Sequence, residues 1–175
     1  MMKRACAGAS VVGLDGDPAV LALGRAKIAA TGVEVPLYEG TAYALPFEKA
    51  SFDRVVSSLV FHHLTSEQKR RTLSEVRRVL RRDGELHVAD WGAPQNLVMR
   101  VAFLGVQLLD GFATTADNVA GRLVPLMREA GLYDVEQTHA EMTLFGTLAL
   151  FRAVAPEAGD RSRGRARPGT VARSS

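Results

Sequence analysis

His62 and His63 stand side by side after the apolar run Leu59-Val60-Phe61, and two carboxylates, Asp15 and Asp90, each close a short run of strand-forming residues. Imidazole exchanges a proton near neutral pH, so either histidine could act as a general base. Neighbours on a regular strand point to opposite faces, so at most one of the pair can serve a given site. Zinc centres normally take three or four ligands in suitable spacing; two adjacent histidines do not make that set, and no metal is expected. A carboxylate at the carboxyl end of a parallel strand faces the crevice where open sheets bind ligands, and it can accept hydrogen bonds from both hydroxyls of a ribose. Asp15 in "VVGLDGDP" fits that description. The competing reading is a cap for the next helix, a role that Asp17 fills better. Asp90-Trp91 holds the corresponding end of a later strand, where it either lines a pocket or closes a loop. His87, inside that strand, reads as a satisfied core histidine.

Short apolar runs alternate with helical patterns, as in strand-helix-strand units of a mostly parallel sheet. Ser10–Leu14 is a strand, Asp17-Pro18 starts a helix that runs to about Thr31, and Gly32 suits the left-handed position beyond its end. Val33–Tyr38 is an edge strand, because Pro36 cannot donate to a ladder. Phe52 to about Leu59, with its continuous apolar character, reads as a central strand. Thr65 and Gln68 form a possible capping box for a helix with the stripe Leu73, Val76, Val79 and Leu80, stopped at Asp83-Gly84. Glu85–Asp90 is the next strand. Leu97–Leu109 is an amphipathic helix, and a further helix runs from Asp117 as N-cap to Gly131. Tyr133–Thr138 and Thr143–Ala153 close the pattern as two strands.

The chain has 175 residues, one cysteine and a formal net charge of +3. That length and apolar content predict a single domain over residues 1–155 with a sizeable core. Residues 156–175 carry Arg161, Arg163, Arg165, Arg167 and Arg173 against Glu157 and Asp160, which accounts for the whole net charge. This Arg/Gly/Ser/Pro tail is expected to be disordered; a solubilising role is favoured over nucleic-acid contact. Cys6, alone, rules out an internal disulfide and fits a reducing compartment. The apolar stretch around Leu97–Leu109 is broken by Arg100 and Gln107 and is too short to span a bilayer, and Lys3 and Arg4 are not followed by an apolar region long enough for a signal peptide. A cytoplasmic protein is expected.

Four segments in order, "VVGLDGDPAVLALGRAK", "GTAYALPF", "SFDRVVSSLVFHHL" and "EVRRVLRRDGELHVADWG", resemble class I S-adenosylmethionine (SAM)-dependent methyltransferases, in particular the small-molecule group similar to ubiquinone and menaquinone biosynthesis enzymes. The resemblance covers about Val11 to Val154. It implies an α/β, Rossmann-like methyltransferase sheet, mostly parallel with a C-terminal antiparallel hairpin, SAM as cofactor and a small-molecule methyl acceptor. By that resemblance Asp15 holds the ribose. Thr41 stands where relatives carry an acidic residue toward the adenine, so recognition there would lean on the hydroxyl and on backbone groups near Ala42. Ser58 and Leu59 would lie beside the methionine part of SAM. The pair His62 and His63 belongs to the site architecture, with either a candidate base, and Asp90 and Trp91 border the substrate pocket. Leu97–Phe112 sits where relatives carry a substrate-facing cover, although a helix packed on the sheet explains the same residues.

Relatives also have a first strand and a glycine-rich turn whose backbone approaches the methionine moiety. Met1–Ser10 contains one glycine and resembles the end of the helix after that turn, so the first strand and glycine loop are not found. The resemblance places the missing strand between the one ending at Asp15 and the one ending near Leu59, leaving both with an unpaired edge. Three explanations stand: a start further upstream, a degenerate product, or a non-catalytic module that completes its sheet with a partner. A dinucleotide-binding domain would also use Asp15, but the Leu45-Pro46-Phe47 turn and the histidine pair do not belong to that pattern. The acceptor and the oligomeric state are not legible.

Overall fold

The structure, a computed structural model, describes residues 8–92, 121–143 and 146–156. Cys6, the stretch Leu97–Phe112 and the tail beyond Pro156 lie outside them. The chain divides into two compact units, Met1–Phe47 and Glu48–Ser175.

In the first unit, β1 (Gly13–Asp15) and β2 (Leu37–Glu39) flank helix α1 (Pro18–Ala29). The strands pair in parallel, from Gly13 opposite Leu37 to Asp15 opposite Glu39. Asp17 caps α1: its Oδ1 accepts from the Ala19 N–H at 2.7 Å, and Pro18 follows at the first helical position, where a missing N–H costs nothing. Gly32 takes the left-handed conformation, φ 63°, after the helix ends. Both strands are shorter than expected. Pro36 has no N–H for the ladder, although its carbonyl accepts from the Gly13 N–H at 2.9 Å, and regular pairing begins only after it.

The second unit holds β3 (Phe52–Ser58), a 3-10 turn (Phe61–His63), α2 (Ser66–Val79), β4 (Leu80–Trp91), α3 (Leu123–Glu129), β5 (Tyr133–Thr143) and β6 (Gly146–Val154). Its sheet runs β3-β4-β6-β5, with β3 and β4 parallel and the β4-β6 and β6-β5 pairs antiparallel. Thr65 opens α2 through the reciprocal capping box with Gln68 that the sequence suggests. One face of α2 then buries Leu73, Val76 and Val79, and α3 adds Leu123, Leu126 and Met127. Together they cover the sheet face that carries Leu86, Val88, Ala149, Phe151 and Ala153.

Several expectations are corrected. The strand Phe52–Ser58 is not central: among the described residues β3 pairs only with β4, and Val56 is 50% exposed. Its apolar run looked continuous because Val55 packs on the core while Phe61, fully buried, belongs to the turn beyond the strand. Helix α2 ends at Val79, before Asp83-Gly84, because Leu80 already adopts extended backbone and pairs with Phe52. The last helix begins at Leu123 after Arg122, which makes no side-chain cap; Asp117 lies outside the described residues. His87 is not a core histidine. It lies on the opposite face of β4 from Leu86 and Val88, partly exposed, with its Nε2 3.0 Å from Glu85 Oε2.

Gly84 explains how β4 turns into the sheet. A Cβ there would stand 2.9 Å from the Arg81 carbonyl oxygen and 3.1 Å from that of Asp53, both backbone atoms that cannot swing away. Gly84→Ala is therefore expected to destabilise the unit by about 1–3 kcal/mol, read from the shift in its urea midpoint. An unchanged midpoint would show that the β3-β4 approach can relax.

On the half-open face, Glu85 is surrounded by Arg152, His87 and Arg54. Arg152 donates to its Oε1 through Nε at 2.9 Å and also through Nη2, His87 lies against Oε2, and Arg54 Nη2 is 3.4 Å away. The Arg152 hydrogen bonds, then the His87 one, hold the Glu85 carboxyl down at about 2, below its ordinary 4.5. A carboxyl with a depressed folded-state value adds stability above its unfolded value and loses it as pH falls through the folded one. The stability gap between the wild type and Glu85→Gln is thus expected to be full near neutrality and to close between about pH 4.5 and 2. Urea titrations at several pH values check this; a gap independent of pH would refute it.

Candidate functional site

The sequence-derived site residues fall into two groups, one in each unit. In the first, parallel pairing brings Asp15 and Thr41-Ala42 to the same carboxyl-terminal end of β1 and β2. The Gly40 N–H donates to the Asp15 carbonyl at 3.0 Å, and Thr41 opens a tight turn closed by the Ala44 N–H on its carbonyl at 3.1 Å. The Asp15 side chain serves the local turn through Oδ1, which accepts from the Asp17 N–H at 2.9 Å. Its Oδ2 makes no hydrogen bond among the described residues, so acceptor capacity toward a diol remains. Asp15, Thr41 and Ala42 are all partly accessible. Such a set can accept hydrogen bonds from a vicinal diol.

In the second unit, the parallel ends of β3 and β4 bring Ser58, Leu59, His62, His63, Asp90 and Trp91 together. Ser58 is the last residue of β3 and is exposed. Leu59 then adopts φ 54°, a left-handed backbone that costs a side-chain-bearing residue roughly 1–2 kcal/mol, while its N–H donates to the Ala89 carbonyl at 2.8 Å. Strain of this kind persists where surrounding contacts enforce it, often at functional sites. The kink delivers Phe61 to the core and starts the 3-10 turn.

Asp90 fixes that turn. The residue is fully buried, and its carboxylate accepts from the Phe61 N–H at Oδ2 (2.7 Å) and from the Trp91 N–H at Oδ1 (2.8 Å); Oδ1 also lies 2.9 Å from His62 Nδ1. His62 is buried with it, 4% exposed, whereas His63 is exposed. The two rings lie with centroids 3.8 Å apart, and the Trp91 ring stands edge-on to His62 at 6.4 Å. The pair is thus separated by a turn, one ring inward and one outward, instead of by strand alternation.

Sequence reasoning placed Asp90 and Trp91 at this strand end but did not link Asp90 to His62. The signal available was the register of two parallel strands: Ser58 opposite Ala89 sets Asp90 beside the residues that follow Ser58. Thr147, on the core side of β6, carries a buried hydroxyl with no hydrogen-bond partner among the described residues. Among the described residues no group of three or more His, Cys, Asp or Glu could hold a metal ion, and no helix is long and apolar enough to cross a membrane.

The alternation of parallel strands and helices, closed by an antiparallel hairpin, is a Rossmann-like methyltransferase fold. A solved structure of a SAM-dependent methyltransferase from Methanosarcina mazei superposes with a TM-score of 0.71 over 90% of this chain and 87% of that one, at 18% identity. Residues 1–88 match the family model described as a methyltransferase domain, and the chain belongs to that family. A demethylmenaquinone methyltransferase of Thermus thermophilus is 37% identical over 134 residues, 74% of this chain and 60% of that protein. An uncharacterised methyltransferase of Synechocystis is 40% identical over 89 residues, 51% of this chain and 40% of that protein. The chain thus spans about half the length of these curated relatives.

Proposed function

We propose that this chain is the greater part of a SAM-dependent methyltransferase that acts on a small organic acceptor. The observation that supports the reading most is the partly accessible Asp15 carboxylate at the end of β1, one oxygen uncommitted, beside the Thr41-Ala42 turn. Asp15 would receive the ribose hydroxyls, and Thr41 with the backbone at Ala42 would meet the adenine. When bound, SAM supplies an electrophilic methyl group on a sulfonium; the protein's part is to position the acceptor against it and exclude water. The Thermus relative's name points to a quinone-like ring as one acceptor to try.

The test is to incubate the chain with SAM and a panel of quinones, phenols and amines, and to follow formation of S-adenosylhomocysteine. Turnover with at least one acceptor is expected. A second reading, a binding module that keeps the fold without catalysis, draws on one observation: among the described residues β1 and β3 each have a single paired edge, in separate sheets. SAM binding without turnover on any acceptor would favour it.

A further inference from the structure

We infer that Asp90 is a positioning residue that holds His62 in a single tautomer, with the hydrogen on Nδ1 and the Nε2 lone pair presented as the proton acceptor for the methyl acceptor. The inference rests on the methyltransferase reading for its reaction and on the second unit alone for its geometry.

The hydrogen-bond inventory carries it. Backbone N–H groups can only donate, so the Asp90 carboxylate is an acceptor toward both Phe61 and Trp91. Both Asp90 oxygens already accept backbone N–H groups, so the 2.9 Å contact with His62 is read with the hydrogen on Nδ1. In the neutral ring Nε2 then has the free lone pair, and among the described residues nothing donates to it. His63 has no such partner; its ring contact is with His62. The same carboxylate fixes the ring and, through the Phe61 N–H, the turn that carries it. An orienting acid behind a histidine is the arrangement by which a general base is kept in its productive tautomer.

The step is a proton transfer. A hydrogen on the acceptor's nucleophilic atom leaves as a proton for Nε2, and the electron pair of that bond stays on the nucleophile. His62 becomes an imidazolium whose Nδ1–H still donates to the Asp90 carboxyl group. The proton later passes from Nε2 to water.

Nitrogen-15 NMR of the uniformly labelled full chain, at a pH where imidazole is neutral, reads the tautomer directly. The His62 signals, identified by their loss in His62→Gln, are expected to show a protonated Nδ1 and an unprotonated Nε2. In Asp90→Asn, whose amide can also donate to Nδ1, the single tautomer should give way to an Nε2-protonated or mixed population, with His63 unchanged. Asp90→Glu should recover the wild-type pattern at least in part. An Nε2-protonated His62 in the wild type, or an unaltered tautomer in folded Asp90→Asn, would overturn the inference; the wild-type spectrum decides if the variant does not fold. With an acceptor in hand, His62→Gln should lower kcat about 100-fold with SAM affinity retained, and an unchanged kcat would also overturn it. Failure to bind SAM or methylate any acceptor would count against the methyltransferase reading and leave the tautomer result to stand or fall separately.

Discussion

Asp90→Ala is expected to lower the unfolding free energy by about 3–5 kcal/mol, the combined cost of three buried donors losing one acceptor after partial relaxation. The size follows from what the carboxylate does. Truncation would leave the Phe61 N–H, the Trp91 N–H and His62 Nδ1 without their acceptor in a region that is closed to solvent at Asp90 and nearly so at His62. Each orphaned buried donor carries a desolvation cost of about 1–3 kcal/mol, less whatever relaxation and water entry recover. Urea denaturation followed by circular dichroism gives the value. A loss below about 1 kcal/mol would mean that water replaces the carboxylate freely, and the site would then be wetter than its burial indicates.

Phe61→Ala carries a comparable expectation, about 3–5 kcal/mol, for a different reason. The ring is fully buried within the core cluster of α2, α3 and the sheet, and its removal leaves a cavity that α2 and β4 cannot both close. Alanine keeps the backbone N–H that donates to Asp90, so the loss isolates packing from hydrogen bonding. The two changes touch one turn, and their effects should fall short of adding in the double variant. Strict additivity, measured by the same denaturation series, would show that the ring and the carboxylate hold the turn independently.

Much of the fold could be read from local signals that tertiary structure does not override. Asp17-Pro18 caps α1, Thr65 with Gln68 caps α2, and the stripe Leu73, Val76 and Val79 is buried as its spacing demands. The closing hairpin of β5 and β6 was likewise visible in its strand-forming runs. What local signals could not give was pairing. Whether a run such as Val55-Val56 is central depends on which strands stand beside it, and among the described residues β3 has β4 alone. Nor does residue type reveal that Leu59 adopts a left-handed backbone, since leucine has no preference for it.

The candidate site divides in the same way. The carboxyl ends of strands drew attention to Asp15, Asp90 and Trp91, and the adjacency of His62 and His63 was plain. The difference between the two histidines was not. It arises from a 3-10 turn that sends one ring inward to Asp90 and leaves the other exposed, a contact across 28 residues that no periodicity encodes. His87 misled for the converse reason: a strand residue between apolar neighbours was read as core, yet alternation places it beside Glu85 on the more open face.

Isothermal titration of the full chain with SAM tests the central claim most directly. Weak but saturable heat is expected, with Asp15→Ala weakening the affinity by on the order of 10-fold or more, because the carboxyl acceptor of the ribose hydroxyls is removed. No heat at millimolar SAM, or binding that Asp15→Ala leaves unchanged, would contradict it.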